Sequence, residues 1–108
     1  MPEITSKVID GKTYNTKTAV KVCTVYSSAS LSDFSGFSET LYRTMKGAFF
    51  MVGEGGPMTR WALVGEDRSV GWGADLLVLD SDEARAMMEQ AGCMPEEFNA
   101  VGLSVEEA

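Results

Sequence analysis

The stretch "ETLYRTMKGAFFMV", residues 39–52, constrains the fold more than any other part of the chain. Leu41, Arg43 and Met45 alternate with Thr40, Tyr42 and Thr44, and the β-rich run "AFFMV" follows directly after Lys46-Gly47. Period-two alternation is the mark of a strand, and two such runs joined by a short glycine-containing connection predict a β-hairpin. Gly47 supplies the positive φ that the tight turn requires.

Further strand signals surround this hairpin. "KVIDGKTY" predicts a strand, an Asp10-Gly11 turn and a return, because Asp-Gly between β-capable residues favours a two-residue turn. Residues 19–26 read as a strand rich in β-branched types, and "TRWALV" and "ADLLVL" as two more. "GEDRSVGWG" between those two is a turn-rich connection with room for a short strand of its own. "SSASLSDFSGFS" holds six serines between 27 and 38 and reads as a loop, which Leu31, Phe34 and Phe37 are expected to pin to the core.

The last third changes period. Asp80 is placed as an N-cap with Glu83 three residues on, close to a capping box. Ala84, Met87, Met88 and Ala91 then follow at helical spacing, and Gly92 is the stop. Pro95 opens a second short helix with Glu96 and Glu97 at its positive end, and 103–108 is expected to fray. Strands first and helices last predict one α+β domain over 1–108. It would have a mostly antiparallel sheet of about five to six strands, with one or two C-terminal helices packed on one face.

Composition excludes several chemistries. The chain has 108 residues and no histidine, which removes imidazole-based triads and His-ligated metals. Cys23 and Cys93 lie far apart in sequence and in no metal-like spacing, so each reads as free and packed. No apolar run is long enough for a membrane span, and "MPEITSKVIDGK" lacks the apolar core of a secretory signal. A cytoplasmic location is the expectation. Charge is unevenly shared: residues 1–60 carry seven basic and five acidic side chains, a net of +2, whereas 61–108 carry two and eleven, a net of −9. A whole-chain role in direct duplex DNA binding is therefore disfavoured, because phosphate contact needs basic surface.

The glycines of "GEGGPMTR" raise the question of a phosphate loop. They lack the Lys-Ser/Thr and following helix of a Walker motif, and Glu54 would repel a phosphate. Gly53, Gly55 and Gly56 read instead as a tight turn or bulge. Asp80, Asp82 and Glu83 are better explained by helix capping than by a metal, so no metal and no cofactor is expected. Two candidate surfaces remain. One is the acidic set Asp80, Asp82, Glu83, Glu89, Glu96 and Glu97; the other combines Tyr42, Arg43, Lys46 and Glu54.

"DGKTYNTKTA", "ETLYRTMKGAFFMVGEGGPMTRWA" and "LLVLDSDEARAMMEQAG" occur in that order and span roughly residues 8–92. Together they resemble a family of small acidic proteins carried by phages and integrative elements of bacteria. The resemblance brings no catalytic residues. Small acidic proteins of such elements include anti-CRISPR proteins, a likeness of class and not of motif. It implies a non-enzymatic inhibitor or binding protein whose acidic half occupies a nucleic-acid-binding surface of a host protein or nucleoprotein complex. Two alternatives stay open: a small ligand-binding module or enzyme with a pocket near Tyr42, Arg43, Glu54 and Trp61, or an accessory dimeric structural protein.

Overall fold

The computed structural model describes residues 4–27 and 34–108. Its fold is α+β. β1 (Ser6–Ile9) and β2 (Lys12–Asn15) form an antiparallel hairpin. Asp10 and Gly11 both take positive φ at its turn, 51° and 76°, as expected for Asp-Gly. β3 (Val20–Tyr26), β4 (Phe37–Arg43), β5 (Phe49–Gly55) and β8 (Gly73–Leu79) make the main antiparallel sheet in the order β3-β4-β5-β8. β6 (Leu63–Val64) and β7 (Val70–Gly71) form a separate small hairpin. Among the described residues the strands are thus shared among three sheets, and "TRWALV" contributes only its last two residues as strand.

The hairpin predicted from residues 39–52 is the centre of the main sheet. Leu41 pairs with Met51, Tyr42 with Phe50 and Arg43 with Phe49, and Gly47 closes the turn at φ 91°. β5 is apolar on both sides, a pattern expected of a strand covered on both faces. Phe49 and Met51 look toward α1 (Ser81–Gln90) and α2 (Pro95–Ala100), where they join Leu41, Met87, Met88 and Phe98 in the larger core. Phe50 looks the other way and packs with Tyr14 of β2 and with Leu76 of β8. Its ring stacks on Tyr42 at 5.2 Å between centroids and meets the edge of Tyr14 at 5.7 Å. The helices cover one face, as expected, and the N-terminal hairpin covers the other.

β3 carries a bulge between Lys21 and Cys23. The extra residue lets both Val22 and Cys23 reach the helix-side core. Beyond α2 the chain does not fray at once. Leu103 is 6% exposed, its amide donates to the Phe98 carbonyl, and Arg85 donates to the Ser104 carbonyl at 2.7 Å. Of the three expected loop anchors, Phe37 packs on the core, Phe34 is 70% exposed, and Leu31 lies outside the described residues. Among the described residues no helix is long and apolar enough to cross a membrane.

Candidate functional site: an acidic helical end

α1 starts as its sequence dictates. The Glu83 amide donates to Asp80 Oδ1 at 2.8 Å, and the Asp80 amide donates to Glu83 Oε1 at 3.0 Å, a reciprocal capping box. Ala84, Met87 and Met88 are buried against the sheet. Asp82 and Glu89 are seven residues apart, so they fall on nearly the same line of the helix, opposite that buried stripe. At the start of α2 the Met94 amide donates to Glu97 Oε1 at 2.9 Å, and Phe98 is buried.

All six acidic residues singled out from sequence, Asp80, Asp82, Glu83, Glu89, Glu96 and Glu97, are exposed. Among the described residues none of them forms a salt bridge: the ion pairs are Lys7–Asp75 and Arg60–Glu39. Arg85, the one basic residue on these two helices, is engaged with a backbone carbonyl. Asp80, Glu83 and Glu97 have capping duties, whereas Asp82, Glu89 and Glu96 make no hydrogen bond within the described chain. Among the described residues no three Asp, Glu, Cys or His side chains gather as metal ligands.

The second candidate surface splits. Adjacent residues of a strand point to opposite faces, so Tyr42 and Arg43 cannot line one pocket. Tyr42 and Glu54 line a cleft of about 170 Å³ beneath the N-terminal hairpin, with Ile4, Thr16, Ser38 and Thr40. Arg43 shares its face with Leu41, and Trp61 lies in the helix-side core. Lys46 is exposed in the β4–β5 turn. The expected four-residue pocket of Tyr42, Arg43, Glu54 and Trp61 is therefore not formed.

The glycine-rich segment also takes a different role from the one expected. Gly53 and Gly55 belong to β5, not to a turn, and Gly55 pairs with Gly73 of β8. A methyl at Gly53 would overlap the Trp61 indole, and one at Gly73 would overlap the Trp61 carbonyl. The glycines form a floor on which Trp61, 6% exposed, lies flat against the backbone. The side of that seat is Glu39, a residue sequence reasoning passed over. It is 9% exposed and accepts from Trp61 Nε1 at 2.7 Å and from Arg60 Nε at 2.9 Å. Arg60 in turn lies 5.0 Å from the Trp61 ring centroid. Period-two alternation already aims Glu39 at the same face as Leu41, the one signal in the sequence that was available.

Cys23 and Cys93, 70 positions apart, meet on the helix side of the sheet. Both are free and half-buried, and both pack on the main core. Burial pushes the Cys23 thiol up to about 12, helped by Cys93 and Glu97. Burial and then Glu97 also raise Cys93. No family model, no curated protein and no solved structure matches this chain.

Proposed function

We propose that this protein is a non-enzymatic binding protein that docks its acidic helical end on a basic, nucleic-acid-binding surface of a host protein or nucleoprotein complex. The reading makes it an inhibitor of a mobile genetic element, in the class of anti-CRISPR proteins. The observation that carries it is the set of exposed carboxylates at α1 and α2 that form no ion pair among the described residues. Such a surface attracts a basic partner and speeds encounter, and the attraction is screened over about 10 Å at 0.1 M salt. The net of −9 over residues 61–108 and the family resemblance support the same reading.

The test is capture of partners from host lysate on the immobilised full chain, followed by mass spectrometry. Nucleic-acid-handling proteins should be retained, released by added salt and displaced by excess nucleic acid. Recovery of no such protein, or retention that salt and nucleic acid leave unchanged, would refute the proposal.

A further inference from the structure

We infer that the Lys7–Asp75 ion pair is a strap across the outer edge of β8, and that its release lets β8 pair antiparallel with β8 of a second copy of this chain. The hydrogen-bond phase of the sheet shows what that edge offers. The Thr44 amide donates to the Ala48 carbonyl at 2.8 Å, so even-numbered residues of β5 turn their amides and carbonyls to β4 and odd-numbered ones to β8. Through the register from Phe49–Leu79 to Gly55–Gly73, the odd-numbered residues of β8 face β5, and Ala74, Leu76 and Val78 face outward. Among the described residues none of these three takes a backbone hydrogen bond from a loop or a further strand. β8 has no proline, lysine or bulge, and its Leu77 and Val78 are 38% and 41% exposed. β3, the opposite edge, carries a bulge and Lys21, two devices that discourage edge pairing.

What guards β8 is the strap. Lys7 pairs with Tyr14 across the N-terminal hairpin, so both side chains lie on the hairpin face that covers Phe50 and Leu76. Asp75 alternates with Leu76, so its side chain starts from the helix side of the sheet, with Leu77 and Leu79. The two charges nonetheless meet at 2.7 Å, and the same Asp75 Oδ1 accepts from the outward Leu76 amide at 2.7 Å. The pair therefore closes around the edge and occupies the donor at the middle of the strand. A second copy fits the edge because the outward groups are symmetric about that donor. A twofold axis at Leu76 sets Leu76 against its counterpart and Val78 against the smaller Ala74 of the other copy, with both backbone bonds formed at each pair. The four-stranded sheet would continue into a sheet twice as wide. Each copy brings one Lys7 and one Asp75 to the junction, so charge balances there although each chain carries a net of −7.

The experiment is analytical ultracentrifugation of the full chain from micromolar to submillimolar concentration, in about 0.3 M salt to screen the net charge. Wild type should sediment as a monomer. Lys7→Gln, which makes the chain more negative, and Asp75→Ala, which makes it less so, should both dimerise reversibly, at least about tenfold more tightly than wild type. Both side chains are about half exposed, so both variants should keep the wild-type circular dichroism spectrum. Lys17→Gln, at an exposed turn, should stay monomeric. Val78→Pro in either strap variant should restore the monomer, since β5 does not use the Val78 amide and proline is tolerated on an edge strand. Amide exchange reads the strap in wild type alone: Leu76 should exchange at least about tenfold more slowly than the equally outward Ala74 and Val78. Folded strap variants that stay monomeric, a wild type that dimerises as tightly as they do, a dimer that Lys17→Gln also forms or that Val78→Pro leaves intact, or a Leu76 amide as fast as its neighbours would each overturn the inference.

Discussion

Replacing Gly53 by alanine tests the Trp61 seat directly. One methyl is a small change, and in an open strand position it would help by about 0.5–1 kcal/mol, because glycine loses more backbone freedom on folding. Here the methyl would fall inside the Trp61 indole. β5 is central and paired on both edges, by β4 and β8, so its backbone cannot yield cheaply. The ring must move. A buried tryptophan covers roughly 150–250 Å², worth about 4–6 kcal/mol at about 25 cal/mol per Å². If the displaced ring keeps half of that burial and its Nε1 leaves Glu39, the net loss is about 3 kcal/mol.

The assay is urea unfolding of the wild type, Gly53→Ala, Trp61→Ala and the double variant, followed by circular dichroism. Trp61→Ala alone should cost about 3–5 kcal/mol. In its background the added methyl at position 53 meets no ring, so Gly53→Ala should become neutral or stabilising there. The coupling between the two sites would then be about 3 kcal/mol, far above the few tenths expected of independent positions. A Gly53→Ala variant within about 0.5 kcal/mol of wild type, or a penalty that persists without Trp61, would refute the idea that the glycine is there to receive the ring.

Four further outcomes are expected. Glu39→Gln keeps an acceptor for Trp61 Nε1 and should cost about 1 kcal/mol in denaturant titration, whereas Glu39→Ala strands a buried donor and should cost about 2–3 kcal/mol. Asp80→Ala removes the N-cap of α1 and should lower stability by about 1 kcal/mol, read from the urea midpoint. The hydrogen bond from Lys7 holds the Asp75 carboxyl below its ordinary value of 3.8. Its stabilisation is therefore present above that value and is lost as pH falls through the lowered one. With both side chains about half exposed, the effect is under about 1 kcal/mol, and Lys7→Met should flatten the stability profile below pH 4 by no more than that. Glu89→Lys with Glu96→Lys should leave the circular dichroism spectrum intact while slowing association with the captured partner in a surface-binding assay; an unchanged rate would move the contact surface elsewhere.

Local chemistry made the elements legible. Asp10-Gly11, Gly47, the Asp80–Glu83 box and Pro95 each act within a few residues, and each sits where its own backbone preference puts it. Sequence spacing also identified the buried stripe of α1, and with it the outward placement of Glu89. What sequence did not show was long-range. "TRWALV" has strand composition, yet Trp61 is buried on the Gly53 floor outside any strand, and Thr59 Oγ1 helps hold it there by accepting from the Trp61 amide. The glycines themselves resembled a turn because their partner lies across the sheet surface. Cys23 and Cys93 reach the same core only once α1 has folded back over the sheet, which no spacing of two residues 70 apart can encode. The Tyr42–Arg43–Glu54–Trp61 pocket was the avoidable error, since strand alternation alone separates Tyr42 from Arg43.

The acidic end divides into carboxylates with an internal duty and carboxylates without one. Asp80, Glu83 and Glu97 each accept from a helix-start amide, and a partner that drew them away would have to leave those amides to water. Asp82, Glu89 and Glu96 give up nothing internal when they turn to a cation. Of these, Asp82 and Glu96 lie in first turns, where the helix dipole holds them in place without a specific bond. Glu89 lies in the last turn of α1, where the dipole and the carbonyl ends oppose a negative charge. A lysine there would suit the helix end better, although Arg85, one turn earlier, offsets part of that cost. Under the proposed docking, reversal of Glu89 should therefore slow association more than reversal of any capping carboxylate, with less loss of stability.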